Sequence, residues 1–308
     1  MTAIPTPTPA PSRFWRKLRL TLEMIKFEHS IFALPFALTG AGEAWRASPL
    51  HAREALWKLL WIVVAMVGAR AAAMTFNRIV DAAIDAKNPR TRQRQLPSGA
   101  LSPRFAWGFF AGAAGVFLLA AGLLGRLCLQ LAPLALGVVL LYSFTKRFTS
   151  WCHLVLGLSL GIAPAAAWIA VAGSLNWSVA WLTGTVMLWT AGFDIIYACQ
   201  DYEFDAREGL FSLPRRFGIG GALWISRFLH LGMLACLWQF HLAFSLSPLT
   251  LAALAVVALL LAYEHSLVRA SDLSRVDAAF FTVNGWIGVL FFLFWTVGQW
   301  FGPSLARI

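Results

Sequence analysis

Oxygen-bearing side chains recur at four-residue spacing in two places, each near the end of a long apolar stretch. The members are Asn77, Asp81, Asp85, Tyr197, Asp201 and Asp205. This spacing places the members of each group on one face of a helix. Carboxylates in or near the hydrocarbon layer are costly, so they are retained where they face a cavity, a partner or an ion. The pattern therefore predicts an oxygen-rich cleft between two helices.

Such a cleft suits a magnesium ion and a phosphate-bearing substrate. Magnesium prefers oxygen ligands and often binds through one or two carboxylates together with phosphate oxygens. We therefore expect the four aspartates to bind magnesium and to act in catalysis. Asn77 and Tyr197, each one helical turn before the first aspartate of its group, are expected to orient the bound substrate. The alternative is that the four aspartates are helix-end carboxylates that pair with arginines of the following loops.

Charged or titratable residues also occur within or beside the apolar stretches. Asp194 lies seven residues before Asp201. It could support the residues that contact the ligand, remove a proton from the product, or pair with an arginine of another helix, the structural pair being favoured. Arg70 lies seven residues before Asn77, and it could bind an acidic substrate or form an internal ion pair, with Asp194 as one candidate. His29 could contact substrate or make a structural hydrogen bond.

Basic residues follow the first aspartate group. Arg90, Arg92 and Arg94 precede the segment LPSG, and they predict a loop that closes over phosphate. Positive charge on cytoplasmic loops is an alternative explanation for at least one of the three. Tyr142 and Lys146 are four residues apart at the end of another apolar stretch. Lys146 could reach a diphosphate as a point charge.

Membrane-spanning helices are the elements expected to position these residues. The 308 residues are 59% hydrophobic and 13% charged, which is far too apolar for a soluble domain. A window of about 20 residues predicts spans at 24–45, 56–80, 104–125, 128–147, 151–173, 178–200, 221–242, 247–268 and 278–301. The predicted fold class is an all-α membrane protein with about nine transmembrane helices. Residues 1–12 are expected to form a disordered tail, and residues 13–308 a single transmembrane domain.

Charge sets the expected orientation and partners. The formal net charge is +11, and the Lys and Arg concentrate in alternate connections, which predicts a cytoplasmic N-terminus and both aspartate groups on the cytoplasmic side of the inner (plasma) membrane. Residues 13–26 are expected to lie on anionic lipid headgroups. Nucleic acid is not an expected partner, because the chain has no basic folded module. The four cysteines form no CxxC pair, so a thiolate metal site is not expected.

Three segments resemble motifs of one family. The stretch ARAAAMTFNRIVDAAIDAKNPRTRQRQLPSGALS resembles the second-helix signature of the UbiA superfamily of intramembrane prenyltransferases, NxxxDxxxD followed by a basic LPSG loop. LYSFTKR resembles its Tyr–xxx–Lys element, and GFDIIYACQDYEFDAREGLFSLPRRFG resembles its second motif, YxxxDxxxD, with the following loop. Arg78 stands where many members have Asp, and QRQLPSG where many have NRPLPSG. The Arg78 difference alters the charge beside the cleft and bears on acceptor identity.

The resemblance implies a helical bundle around a central cavity that opens laterally to lipid, with Mg2+ as cofactor. It implies transfer of a polyprenyl group from polyprenyl diphosphate to a hydroxylated aromatic acid in ubiquinone or menaquinone biosynthesis. The acceptor would be 4-hydroxybenzoate or 1,4-dihydroxy-6-naphthoate. The four aspartates would bind the magnesium diphosphate. The residues that would steady it are Asn77, Tyr142, Lys146 and Arg94.

In the expected reaction, the allylic C–O bond breaks as charge on the diphosphate is neutralised, and the allylic cation attacks an electron-rich ring carbon. Asp194 or the released diphosphate would remove the ring proton. Three alternatives remain: a cation-coupled transporter, a purely structural membrane protein, and a prenyltransferase of the same fold with a haem, chlorophyll or lipid precursor as acceptor. The basic loops beside both aspartate groups favour an enzyme over a transporter.

Overall fold

The long apolar stretches of the chain form helices. The structure is a computed structural model and describes residues 13–26 and 32–301. Within these ranges the chain forms eleven α-helices and no strand, apart from one isolated bridge between Arg269 and Asp272. The helices are α1 (Arg13–Ile25), α2 (Leu34–Ala47), α3 (Ala52–Lys87), α4 (Pro103–Leu124), α5 (Arg126–Thr145), α6 (Cys152–Ala172), α7 (Ala180–Ala198), α8 (Tyr202–Glu208), α9 (Leu213–Ala243), α10 (Leu249–Ser266) and α11 (Asn284–Phe301).

Eight helical segments of the described chain are long and apolar enough to cross a membrane. The predicted all-α membrane class is therefore confirmed, and each predicted span from 56–80 onward coincides with one of these segments. The prediction of one continuous span from residue 24 is wrong, because α1 ends at Ile25 and Lys26 has a φ of 50°. The expected tail at 1–12 and His29 lie outside the described residues.

α1 is amphipathic and packs on the bundle by its C-terminal end. Met24 and Ile25 are buried in a cluster that includes Ala72 of α3, whereas Trp15 and Leu18 are exposed. An exposed face that combines basic and apolar side chains is typical of a helix at the membrane interface. Its contact with lipid headgroups remains a prediction.

Close packing of α6 against α7 positions one wall of the site. A Cβ added to Gly157 would lie 2.1 Å from the carbonyl oxygen of Met187, and one added to Gly161 would lie 2.8 Å from that of Thr183. Small residues at such contacts let membrane helices approach closely. The two glycines therefore bring the backbones of α6 and α7 together and fix the position of α7.

A π-helical turn, Ala278–Val283, precedes α11. The buried Asn284 supports it, because its Nδ2 donates to the carbonyl oxygens of Ala279 (3.0 Å) and Phe280 (3.2 Å) and to Oε1 of Glu264 (3.1 Å). Its Oδ1 accepts from Nε1 of Trp189 at 2.6 Å. Single π turns occur frequently at functional sites, and this one carries Phe280 to the wall of the cavity described below.

Candidate active site

A polar cavity of about 300 Å3 lies where the ends of α3, α5 and α7 meet. Twelve of the candidate side chains named from the sequence line it. They are Arg70, Asn77, Asp81, Asp85, Arg90, Arg94, Tyr142, Lys146, Asp194, Tyr197, Asp201 and Asp205. The two aspartate groups, more than one hundred residues apart in the sequence, therefore face one space. Arg92 of the basic loop is exposed and is not among the lining residues.

The first aspartate group is paired with two arginines. Asp81 Oδ1 accepts from Nη2 of Arg147 at 2.8 Å, and its Oδ2 accepts from Nδ2 of Asn77 at 2.8 Å. Both oxygens of Asp85 accept from Nη1 of Arg94, each at 2.8 Å. Asn77 therefore orients Asp81, while the basic loop reaches back onto Asp85.

The second aspartate group is paired with the loop and with α5. Asp201 Oδ1 accepts from Nε of Arg90 at 3.1 Å and from Nδ2 of Asn88 at 3.2 Å. Arg90 also donates to the hydroxyl of Tyr197 at 3.0 Å. Asp205, which is 1% exposed, lies 3.4 Å from Nζ of Lys146. Each of the four aspartates thus has its own basic partner.

These pairs keep the basic partners charged. Partial burial opposes the charge of Arg90, but the Asp201 carboxylate outweighs that effect and raises the pKa of Arg90 above its ordinary value. Lys146 follows the same pattern, since burial lowers its pKa but Asp205 and then Asp201 raise it to a net value above the ordinary one. Cations that remain charged beside carboxylates can transfer their contacts to an incoming phosphate.

The donor set fits magnesium bound together with a substrate. In the described part of the chain, no three carboxylate, imidazole or thiolate side chains converge closely enough to hold a metal alone. The carboxylates instead form two pairs on separate elements that line one cavity. Magnesium is commonly bound through one or two carboxylates plus phosphate oxygens and water, and this arrangement meets that requirement.

The second motif does not lie on one continuous α-helical face, contrary to the prediction. α7 ends at Ala198, a 3-10 turn covers Cys199–Asp201, and α8 begins at Tyr202. The tighter turn changes the direction of the Asp201 side chain relative to Tyr197. Both residues nevertheless line the cavity.

The predicted pairing of Asp194 with an arginine is wrong. Its Oδ2 lies 2.6 Å from Nδ1 of His153 on α6. Arg70 was the arginine considered as a partner for Asp194, and its Nη2 donates to the backbone carbonyl oxygen of Lys26 at 3.3 Å. Asp194 contacts His153 because the close packing of α6 on α7 places the imidazole beside the carboxylate.

Sequence reasoning missed several residues that surround the site. Arg147 also donates to the carbonyl oxygens of Ser143 (2.6 Å) and Val80 (3.1 Å), yet in the sequence it is only one of many loop charges. A histidine within a membrane span is itself a signal, and it would have identified His153. Arg78, by contrast, was placed beside the cleft from the sequence; it is buried, lines the cavity and donates from Nε to the Met24 carbonyl oxygen at 3.4 Å.

An apolar cavity of about 250 Å3 adjoins the polar one. Six residues line both cavities: Arg70, Met74, Asn77, Tyr142, Leu156 and Leu160. The remaining lining is dominated by Ala, Val, Leu and Ile side chains, including Ile62 and Val139. A molecule with a charged head and a hydrocarbon tail therefore matches the two spaces together.

The model of the UbiA prenyltransferase family matches residues 33–300. The chain belongs to this family. Its relatives include the mitochondrial 4-hydroxybenzoate polyprenyltransferase of Aedes aegypti, 37% identical over 187 residues that cover 58% of this chain but 42% of that protein. The 4-hydroxybenzoate octaprenyltransferase of Alcanivorax borkumensis is 34% identical over 267 residues, which cover 80% of this chain and 90% of that protein.

Solved structures of UbiA homologues share the fold. The apo structure of a UbiA homologue from Aeropyrum pernix K1 superposes with a TM-score of 0.79 at 33% identity, covering 88% of this chain and 98% of that one. A UbiA homologue from Archaeoglobus fulgidus, bound to GPP and Mg2+, gives a TM-score of 0.67 at 19% identity over 90% of this chain and 98% of that one. This UbiA-family chain is therefore a prenyltransferase and an integral membrane protein, and the transporter and purely structural alternatives do not apply.

Proposed function

We propose that this UbiA-family enzyme transfers a polyprenyl group from polyprenyl diphosphate to a hydroxylated aromatic acid, with Mg2+ as cofactor. The observation that carries the proposal is the polar cavity lined by both aspartate groups, which shares six lining residues with an apolar cavity. The diphosphate would occupy the polar space and the prenyl chain the apolar one. The chain would work in the inner membrane with this cavity on the cytoplasmic side, as the distribution of Lys and Arg predicts.

The proposed metal ligands are the four aspartates. Asp81 and Asp85 would act from α3, and Asp201 and Asp205 from the second motif. When bound, Mg2+ would neutralise charge on the departing diphosphate. The Mg2+ and GPP in the Archaeoglobus fulgidus homologue support this assignment, as do the two carboxylate pairs of the present cavity.

Basic side chains would bind the diphosphate as they leave their carboxylate partners. Arg90 and Arg94 present planar donors suited to phosphate oxygens, and Lys146 presents a point charge. When the metal neutralises the carboxylates, their attraction for these cations weakens. Asn77, Tyr142 and Tyr197 would then orient the bound head group.

We propose the following chemical step. The allylic C–O bond breaks, and its electron pair leaves with the diphosphate. An electron-rich ring carbon of the acceptor forms the new C–C bond to the allylic carbon. The ring C–H bond then gives its electrons back to the ring as the proton passes to Asp194, which faces the cavity. Exclusion of bulk water protects the allylic cation from capture as a prenol.

The acceptor is proposed to be 4-hydroxybenzoate or 1,4-dihydroxy-6-naphthoate. The names of the curated relatives support 4-hydroxybenzoate. Arg70, which lines both cavities, is proposed to bind the acceptor carboxylate. A guanidinium that lines both cavities presents planar donors suited to a carboxylate.

The test of the acceptor is turnover by purified protein in lipid nanodiscs, with product detected by mass spectrometry. Geranyl diphosphate and Mg2+ are supplied with 4-hydroxybenzoate or 1,4-dihydroxy-6-naphthoate in separate reactions. Product from one acceptor alone identifies the substrate and the quinone pathway. Product from neither, in folded protein that turns over a haem, chlorophyll or lipid precursor, contradicts the proposed acceptor class.

A further inference from the structure

We propose that His153 is a positioning residue that holds the Asp194 carboxylate in the orientation in which it accepts the ring proton of the acceptor. The inference rests on the proposed prenyl transfer and adds a residue behind the cavity wall. His153 is 0% exposed and is not among the described lining residues, whereas Asp194 lines the cavity. The imidazole therefore acts on the reaction through Asp194 rather than by touching substrate.

The hydrogen bonds of His153 define its tautomer. The backbone N–H of Leu213, in the first turn of α9, donates to Nε2 of His153 at 3.4 Å. A protonated Nε2 would oppose that N–H, so the lone pair lies on Nε2 and the proton lies on Nδ1. Nδ1–H then donates to Oδ2 of Asp194 at 2.6 Å. This chain of donors fixes the imidazole between a helix terminus and a carboxylate.

The arrangement leaves the carboxylate competent as a base. The hydrogen bond from Nδ1 of His153 to Oδ2 fixes the orientation of the Asp194 carboxylate. Engagement of Oδ2 by His153 makes Oδ1 the oxygen available to a bound acceptor. In metal sites, residues that hydrogen-bond a metal ligand hold that ligand in its orientation, and their loss commonly lowers activity about tenfold to a hundredfold. We expect His153 to orient Asp194 in a comparable way.

The surrounding packing gives this pair little freedom. Asp194 lies on α7, which the glycine contacts hold against α6. Leu213 lies at the beginning of α9, where Ser212 caps the helix by accepting from the Arg215 N–H at 3.4 Å. Three helices thus meet at the imidazole. A displacement of about 1 Å at a reacting group can reduce rate by about a hundredfold, so rigid support matters here.

Two substitutions separate positioning from structural support. In His153→Asn, the amide nitrogen occupies nearly the place of Nδ1 and can still donate to Asp194. In His153→Gln, the amide oxygen reaches toward the place of Nε2 and can still accept from Leu213, but the donor to Asp194 is lost. His241→Gln is the matched control, because His241 hydrogen-bonds Thr250 through Nδ1 at 2.6 Å and is outside the cavity lining.

The experiment uses full-length protein in nanodiscs with geranyl diphosphate, Mg2+ and 4-hydroxybenzoate, either unlabelled or deuterated at the two ring carbons beside the hydroxyl. In His153→Gln, we expect kcat to fall about tenfold to a hundredfold. The deuterium isotope effect on kcat should rise above the wild-type value, because proton removal becomes slower. His153→Asn should recover most of kcat, and His241→Gln should keep the wild-type isotope effect. Calorimetric binding of geranyl diphosphate with Mg2+ should be unchanged in all variants.

The possible failures are distinguishable. If wild-type protein makes no prenylated product from either acceptor, the proposed function fails and this inference fails with it. Two results with active wild-type protein would show that His153 does not position the base. The first is a wild-type isotope effect on kcat in His153→Gln, and the second is an equal loss of kcat in His153→Asn and His153→Gln. In that case the prenyl transfer stands, and the released diphosphate takes the ring proton.

Discussion

Arg90 and Asp201 join the basic loop to the second aspartate motif across 111 residues of sequence. The guanidinium donates to both carboxylate oxygens and lies 5.3 Å from the centroid of the Tyr197 ring. Asn88 supports the loop, since its Oδ1 accepts from the Arg90 backbone N–H at 2.9 Å. The loop that follows the first motif is therefore folded onto the second, so the two halves of the site are connected before substrate binds.

Arg90→Ala should raise the KM for prenyl diphosphate by about tenfold to a hundredfold, as loss of a charge-assisted contact to phosphate costs about 1.5–3 kcal/mol. The matched control is Arg92→Ala in the same loop, because Arg92 is exposed and outside the cavity lining. Steady-state kinetics with the acceptor held at saturation measures both variants. Equal KM changes in the two would mean that general loop charge, rather than Arg90, attracts the diphosphate.

Asp81→Asn and Asp201→Asn should each reduce kcat/KM by at least about a hundredfold, because loss of a charged ligand weakens stabilisation of the departing diphosphate. Glu208→Gln is the control, since Glu208 pairs with Lys87 at 2.7 Å and lies outside the cavity lining. Kinetics and Mg2+-dependent binding of geranyl diphosphate are measured on protein whose helicity matches wild type. Near-normal binding and activity in both Asp variants would reject the metal assignment.

The sequence predicted the membrane class, most helix positions and the lining of the site, because apolar length and four-residue spacing are local properties. It did not predict the partner of Asp194 or the role of Arg147. Those depend on how α6 packs on α7 and how the end of α5 approaches α3, which no local spacing specifies. The 3-10 turn at Cys199–Asp201 was also missed, since the motif spacing continues unbroken through it.

Arg70→Ala should raise the KM for 4-hydroxybenzoate at least about tenfold and change that for geranyl diphosphate much less. The reason is that its proposed partner is the acceptor carboxylate rather than phosphate. The neutral methyl ester of 4-hydroxybenzoate is the control substrate, and its KM should be nearly the same in variant and wild-type protein. A change confined to the KM of geranyl diphosphate would assign Arg70 to the diphosphate instead.

Asn284→Ala should lower thermal stability without loss of the fold. It removes the acceptor for Nε1 of Trp189 and the donor to Glu264, and each buried polar group left without a partner costs about 1–3 kcal/mol. Thermal unfolding in detergent, followed by tryptophan fluorescence, measures the effect. The control Asn176→Ala removes an exposed cap on Ser178 N–H and should change Tm less. Equal Tm shifts would mean that the buried network contributes no special stability.

Magnesium-dependent prenyl transfer by wild-type protein is the most direct test of the central claim. Protein in nanodiscs is given geranyl diphosphate and 4-hydroxybenzoate or 1,4-dihydroxy-6-naphthoate, with either Mg2+ or EDTA, and products are identified by mass. The predicted result is a carbon-prenylated aromatic acid and one equivalent of diphosphate with Mg2+, and neither with EDTA. Equal product in EDTA, or no product from either acid by folded protein, would contradict it.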